Sequence, residues 1–163
     1  MISGENVREE LLGLLDGEDA HMPFEEAVAD FPDAAINARA PNVAYSPWHL
    51  LEHLRITQWD ILEYVRKPGH VSPDWPEGYW PAPDALATPE GFAATVASFR
   101  ADQAALRALV ADPATDLFAV LPRTPGHTIL REVRIVADHN AYHVGEFAIL
   151  RQVMGTWPPD RPG

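Results

Sequence analysis

Apolar residues in this chain recur at the spacing of one helix face, and no convincing strand-like alternation of apolar and polar positions occurs. Asn6 to Leu15 reads as a short helix closed by Asp16-Gly17. Pro23 to Phe31 reads as a second, opened by proline and closed by Pro32, and the two are compatible with one interrupted bundle helix. Ser46-Pro47 is a clear start, a hydroxyl cap followed by proline at the first helical position. Leu50, Leu51, Leu54, Ile61, Leu62 and Val65 then form an apolar stripe that stops at Pro68-Gly69. Thr88-Pro89 repeats the start signal ahead of Phe92, Val96, Phe99, Leu106, Leu109 and Val110, and Pro113 ends that run. A last helix is expected from about Thr128 to Gly155, a glycine suited to the left-handed position after a helix.

The pattern predicts an all-α chain with residues 1–163 as one domain. Between the second and third long helices lies Lys67 to Gly91, with six prolines and the aromatics Trp75, Tyr79 and Trp80. It is too long for a plain connection. Two readings stand: an irregular cover over a bundle end, or a wall of a substrate pocket. Residues 113–127 make a shorter connection, with extended pieces expected around Leu117 to Leu121.

Charge and composition narrow the function. Twenty-four acidic against 12 basic residues give a net charge of −12, which opposes docking on nucleic-acid backbones or anionic membranes. No apolar run reaches the roughly 18 residues of a spanning helix. The polar, acid-bearing start, Met1 to Glu10, does not suit a signal peptide, so a cytoplasmic location is expected. The absence of cysteine excludes disulfides, thiolate metal sites and a cysteine nucleophile. Any metal must be held by nitrogen and oxygen, and thiol chemistry would need an external thiol.

The candidate chemistry lies in His139-Asn140-Ala141-Tyr142-His143. A helix advances about 100° per residue, so the two histidines share a face with Ile129, Val133, Val136, Phe147, Leu150 and Met154. Two imidazoles aimed at a core are costly unless they have a partner, and one shared metal ion would serve both. His53, in another apolar helix, is the third candidate ligand. His49 shares that helix but is expected to face solvent in its first turn. His21, His70 and His127 fall in breaks or loops and are expected at the surface. The zinc-peptidase pattern H-E-x-x-H fails because position 140 is Asn. A di-iron carboxylate bundle needs glutamates on two helices and two Glu-x-x-His units, and only Glu18-Asp19-Ala20-His21 is present, in a glycine-flanked break. Three neutral imidazoles leave positions open on zinc, nickel or iron for water or a substrate thiol. Glu146, about one turn after His143, is a candidate base or outer partner of the metal ligands, or else a rim residue. Asp138 is expected to point away.

Two segments carry a resemblance. Ser46-Pro47-Trp48-His49-Leu50-Leu51-Glu52-His53-Leu54 and Asp138-His139-Asn140-Ala141-Tyr142-His143-Val144-Gly145-Glu146 resemble, in that order, the motifs of the DinB/YfiT-like metal-binding family, and the similarity runs over most of the chain. The resemblance implies a four-helix bundle, a His53/His139/His143 metal site with open coordination and often a homodimer. It implies nickel or zinc as the divalent ion. Its implied activity is that of a metal-dependent hydrolase, or of a transferase or isomerase using a low-molecular-weight thiol such as bacillithiol or mycothiol on a small-molecule substrate. The competing reading is a non-catalytic, metal-stabilised bundle that binds a small ligand or a partner.

Overall fold

Each long helix after the first begins at the cap its sequence provides. In the computed structural model, which describes residues 4–17, 20–122 and 124–160, the α-helices are α1 (Gly4–Asp16), α2 (Phe24–Val28), α3 (Pro47–Arg66), α4 (Pro89–Ala111) and α5 (Ile129–Met154). The hydroxyls of Ser46, Thr88 and Thr128 accept from the backbone N–H of His49, Gly91 and Arg131, the third residue of each helix. These bonds satisfy donors that a helix start otherwise leaves open. Gly155, at φ +64°, closes α5 in the left-handed conformation that glycine adopts without a Cβ clash. Gly17, at φ +71°, ends α1 and separates it from α2, so the first bundle helix is interrupted as expected.

The second piece is shorter than the pattern Pro23 to Phe31 suggests. Ala29 is extended and Asp30 has φ +50°. The carbonyls freed there are taken by Arg151 of α5, which donates to Ala27 and Ala29 at 2.7 Å each, and to Thr156 at 2.8 Å. Arg151 is completely buried, with its guanidinium 3.9 Å from the Trp157 ring centroid and 5.3 Å from that of Phe31.

Four long helices, α1, α3, α4 and α5, pack together. Their apolar faces form two clusters. One gathers Leu50, Leu51 and Leu54 of α3, Phe92, Val96 and Phe99 of α4, and Val144, Phe147 and Leu150 of α5. The other gathers Leu11 and Leu15, Leu62, Leu106 and Val110, and Val133 and Val136. The N-terminal halves of α3 and α4 thus share one cluster and their C-terminal halves the other, so these helices run parallel, while α5 runs against both. A 20-residue helix is about 30 Å long, and the chain between α3 and α4 must retrace that length. This is why the proline-rich segment is long, and it runs along the side of the bundle rather than capping its end. Between the clusters lies a polar layer: Asn140 donates to Gln58 at 2.9 Å, and Gln58 donates to the Phe99 carbonyl at 2.8 Å. The extended pieces expected near Leu117 to Leu121 reduce to a single antiparallel bridge, Val120 to Thr128.

Candidate metal centre

His53 reaches the site from α3, and His139 and His143 reach it from successive turns of α5. One ligand-capable nitrogen from each lies within 4.8 Å of the other two. The His53 and His139 Nε2 atoms are 3.1 Å apart. Two nitrogens bound to one ion at about 2.0–2.1 Å adopt a spacing of this order. The outer nitrogens of His53 and His143 agree with that arrangement. His53 Nδ1 faces the Tyr79 carbonyl at 2.8 Å, which can only accept, so the proton sits on Nδ1 and the Nε2 lone pair faces inward. His143 Nδ1 lies 2.6 Å from Glu146 Oε2, which assigns it the same tautomer. His139 Nδ1 is buried without a hydrogen-bond partner. The donor set therefore fits a metal ion.

Electrostatics also hold these imidazoles in the ligand state. Burial, followed by the neighbouring His53, lowers the His139 pKa to about 4. Burial, followed by His139 and His53, lowers that of His143 to about 3. His53 is lowered by burial against the raising effect of the Tyr79 carbonyl. All three are neutral at pH 7. Burial raises the pKa of Glu146, and both its oxygens are engaged, Oε2 by His143 and Oε1 by the Tyr45 hydroxyl.

The proline-rich segment packs against the histidine cluster. Trp80 lies flat on His53, with ring centroids 4.0 Å apart and planes within 4°. Tyr45 packs on Trp80 at 5.3 Å. Of the segment's three aromatics, Tyr79 and Trp80 meet His53, whereas Trp75 is 74% exposed and touches Tyr79 edge-on.

Two expectations for the other histidines are corrected. His49 does not face solvent: it is buried, its Nδ1 lies 2.6 Å from Ser46 Oγ in a capping box, and its Nε2 lies 3.0 Å from the Ala82 carbonyl. His70 is not a surface residue, because its side chain is 8% exposed and bonded to Asp60 Oδ1 at 2.6 Å. The returning segment covers both. His127 is half-buried against Glu132 at 3.0 Å. His21 is exposed as expected, and Asp138 also faces outward. Glu18 and Asp19, the acidic part of the isolated Glu-x-x-His unit, lie outside the described residues. Tyr45 and Asp60 carry no sequence signal that marks them as neighbours of the site.

The fold and site define an all-α bundle of four long helices around a three-histidine cluster able to hold a metal ion. The DinB superfamily model matches residues 17–147, and the chain belongs to that superfamily. Comparison with curated proteins and with solved structures returns no match. Among the described residues, no helix is long and apolar enough to cross a membrane.

Proposed function

We propose that this protein is a metal-dependent enzyme of the DinB type, a thiol-dependent transferase or a hydrolase acting on a small molecule. The observation carrying the reading is the convergence of three neutral imidazoles, two of them with outer nitrogens fixed by acceptors. His53, His139 and His143 would hold a divalent ion, nickel or zinc by the family resemblance, with iron compatible with the same donors. Such an ion supplies Lewis acidity, lowering the pKa of a bound water or thiol. The chain has no cysteine, so a thiol would arrive as cosubstrate, of the bacillithiol or mycothiol class. Glu146, the candidate acid–base residue, accepts the hydrogen bond from His143 Nδ1–H and so orients that ring. Its raised pKa brings it nearer the range useful for proton transfer.

Elemental analysis of protein purified without a metal column tests the site. About one ion per chain is expected, falling to background in His139→Ala/His143→Ala, and undiminished content in that variant would reject it. In cobalt-substituted protein, a sulfur-to-cobalt charge-transfer band on adding a low-molecular-weight thiol supports the transferase. Its absence, with ester or amide hydrolysis that His143→Ala abolishes, supports the hydrolase. Failure of both leaves a non-catalytic binding bundle. A homodimer is part of the proposal, supported by Tyr142, Ile149 and Val153, exposed at helical spacing on one face of α5. Light scattering showing only an 18.0 kDa species would exclude it.

A further inference from the structure

Asp60 sits two turns beyond His53 on the same face of α3, and it is 5% exposed. Its Oδ1 meets His70 Nε2 at 2.6 Å, and its Oδ2 accepts from the Tyr79 phenol at 2.6 Å. The backbone carbonyl of that same tyrosine accepts from His53 Nδ1. Tyr79 is therefore gripped at both ends by one face of α3, its phenol by Asp60 and its carbonyl by a metal-ligand candidate.

The arrangement is more than packing needs. A buried aspartate and histidine cost desolvation that an apolar contact would avoid. Apolar contact is non-directional, whereas a hydrogen bond to the phenol fixes where the tyrosine backbone stands along α3.

We infer that Asp60, acting through Tyr79, is a positioning residue for His53: it holds the Tyr79 carbonyl against Nδ1, which keeps the Nε2 lone pair aimed at His139 and His143. His70 in turn holds Asp60. The role of His53 as a ligand rests on the functional reading above, but the control of its tautomer does not.

Asp60→Asn and Tyr79→Phe test this, each nearly isosteric. Arg151→Met, which perturbs packing away from His53, is the control for general destabilisation. The first readout needs no metal: ¹⁵N chemical shifts of the His53 ring in metal-free protein report which nitrogen carries the proton. Wild type is expected as the Nδ1–H form, with both variants shifting to a mixture and Arg151→Met unchanged. The second readout is cobalt and zinc affinity, by competition with a chromogenic chelator, with the cobalt visible spectrum. A loss of about 10- to 100-fold is expected in Asp60→Asn and Tyr79→Phe, with an altered spectrum. An unchanged His53 tautomer in both variants would overturn the inference, as would wild-type metal affinity in both. A tautomer shift in the variants of a protein that binds no metal would support the inference while rejecting the metal-dependent enzyme.

Discussion

Replacing Arg151 by methionine keeps most of the side-chain volume and removes the cation. The carbonyls of Ala27, Ala29 and Thr156 lose their donor. Ala29 is exposed and Thr156 is half-buried, so water replaces the guanidinium at these two for little cost. Ala27 is 1% exposed, and stranding its carbonyl costs about 1–3 kcal/mol. Losing the cation between the Phe31 and Trp157 rings removes roughly another 1–2 kcal/mol. The desolvation of a buried cation, relieved in the variant, offsets part of this. The net expectation is about 3 kcal/mol, which for a chain of this size lowers Tm by roughly 6–12 °C. Arg151→Lys should recover only part, because an ammonium cannot span three carbonyls as the planar fork does. Urea unfolding and scanning calorimetry on metal-free protein measure both variants. A loss below about 1 kcal/mol for methionine, or full recovery by lysine, would refute the assignment of Arg151 as the tie between α2 and α5.

Metal bound only by the folded chain adds stability by mass action, about 2.7 kcal/mol at 100 times Kd. Zinc or nickel should therefore raise Tm by roughly 5–10 °C, and His139→Ala/His143→Ala should abolish the rise. In metal-free protein, His139 and His143 have folded pKa values of about 4 and about 3, below the unfolded 6.5. The unfolded chain then binds more protons between those limits, so their contribution is complete above pH 6.5 and is lost as pH falls toward 3. His139→Gln/His143→Gln should flatten that part of the pH–stability curve, and an unchanged slope would contradict the shifts. Trp80 stacks on His53 at 4.0 Å, so nickel or cobalt should quench tryptophan emission, and Trp80→Phe should remove most of the quenching. Equal quenching in Trp80→Phe would place the bound ion elsewhere.

The histidine triad was legible because helical spacing places His139 and His143 on a core-facing side, where an unpartnered imidazole is expensive. The caps were legible at Ser46-Pro47 and Thr88-Pro89, where a hydroxyl and a proline act within a few residues of themselves. What periodicity missed depends on the returning segment. His49 reads as exposed from its first-turn position, and only the Ala82 carbonyl arriving from 33 residues away changes that. His70 and Asp60 meet for the same reason. The parallel course of α3 and α4 was hidden as well, because an apolar stripe gives a helix its face but not its direction. The length of the connection was the only trace of it. Tyr45, which precedes the Ser46 cap, belongs to no periodic element, so nothing in the sequence tied it to Glu146.

The course of that segment also decides where the chain tolerates being cut. Val71 is 84% exposed and Trp75 is 74% exposed, which leaves residues 71–75 open to a protease. The chain is held on both sides of this tip, by His70 on Asp60 upstream and by Tyr79 on His53 and Asp60 downstream. Each resulting fragment contributes helices to both apolar clusters. A nicked protein should accordingly stay assembled, and the two pieces, expressed apart, should find each other and rebuild a cluster whose histidines come one from the first fragment and two from the second.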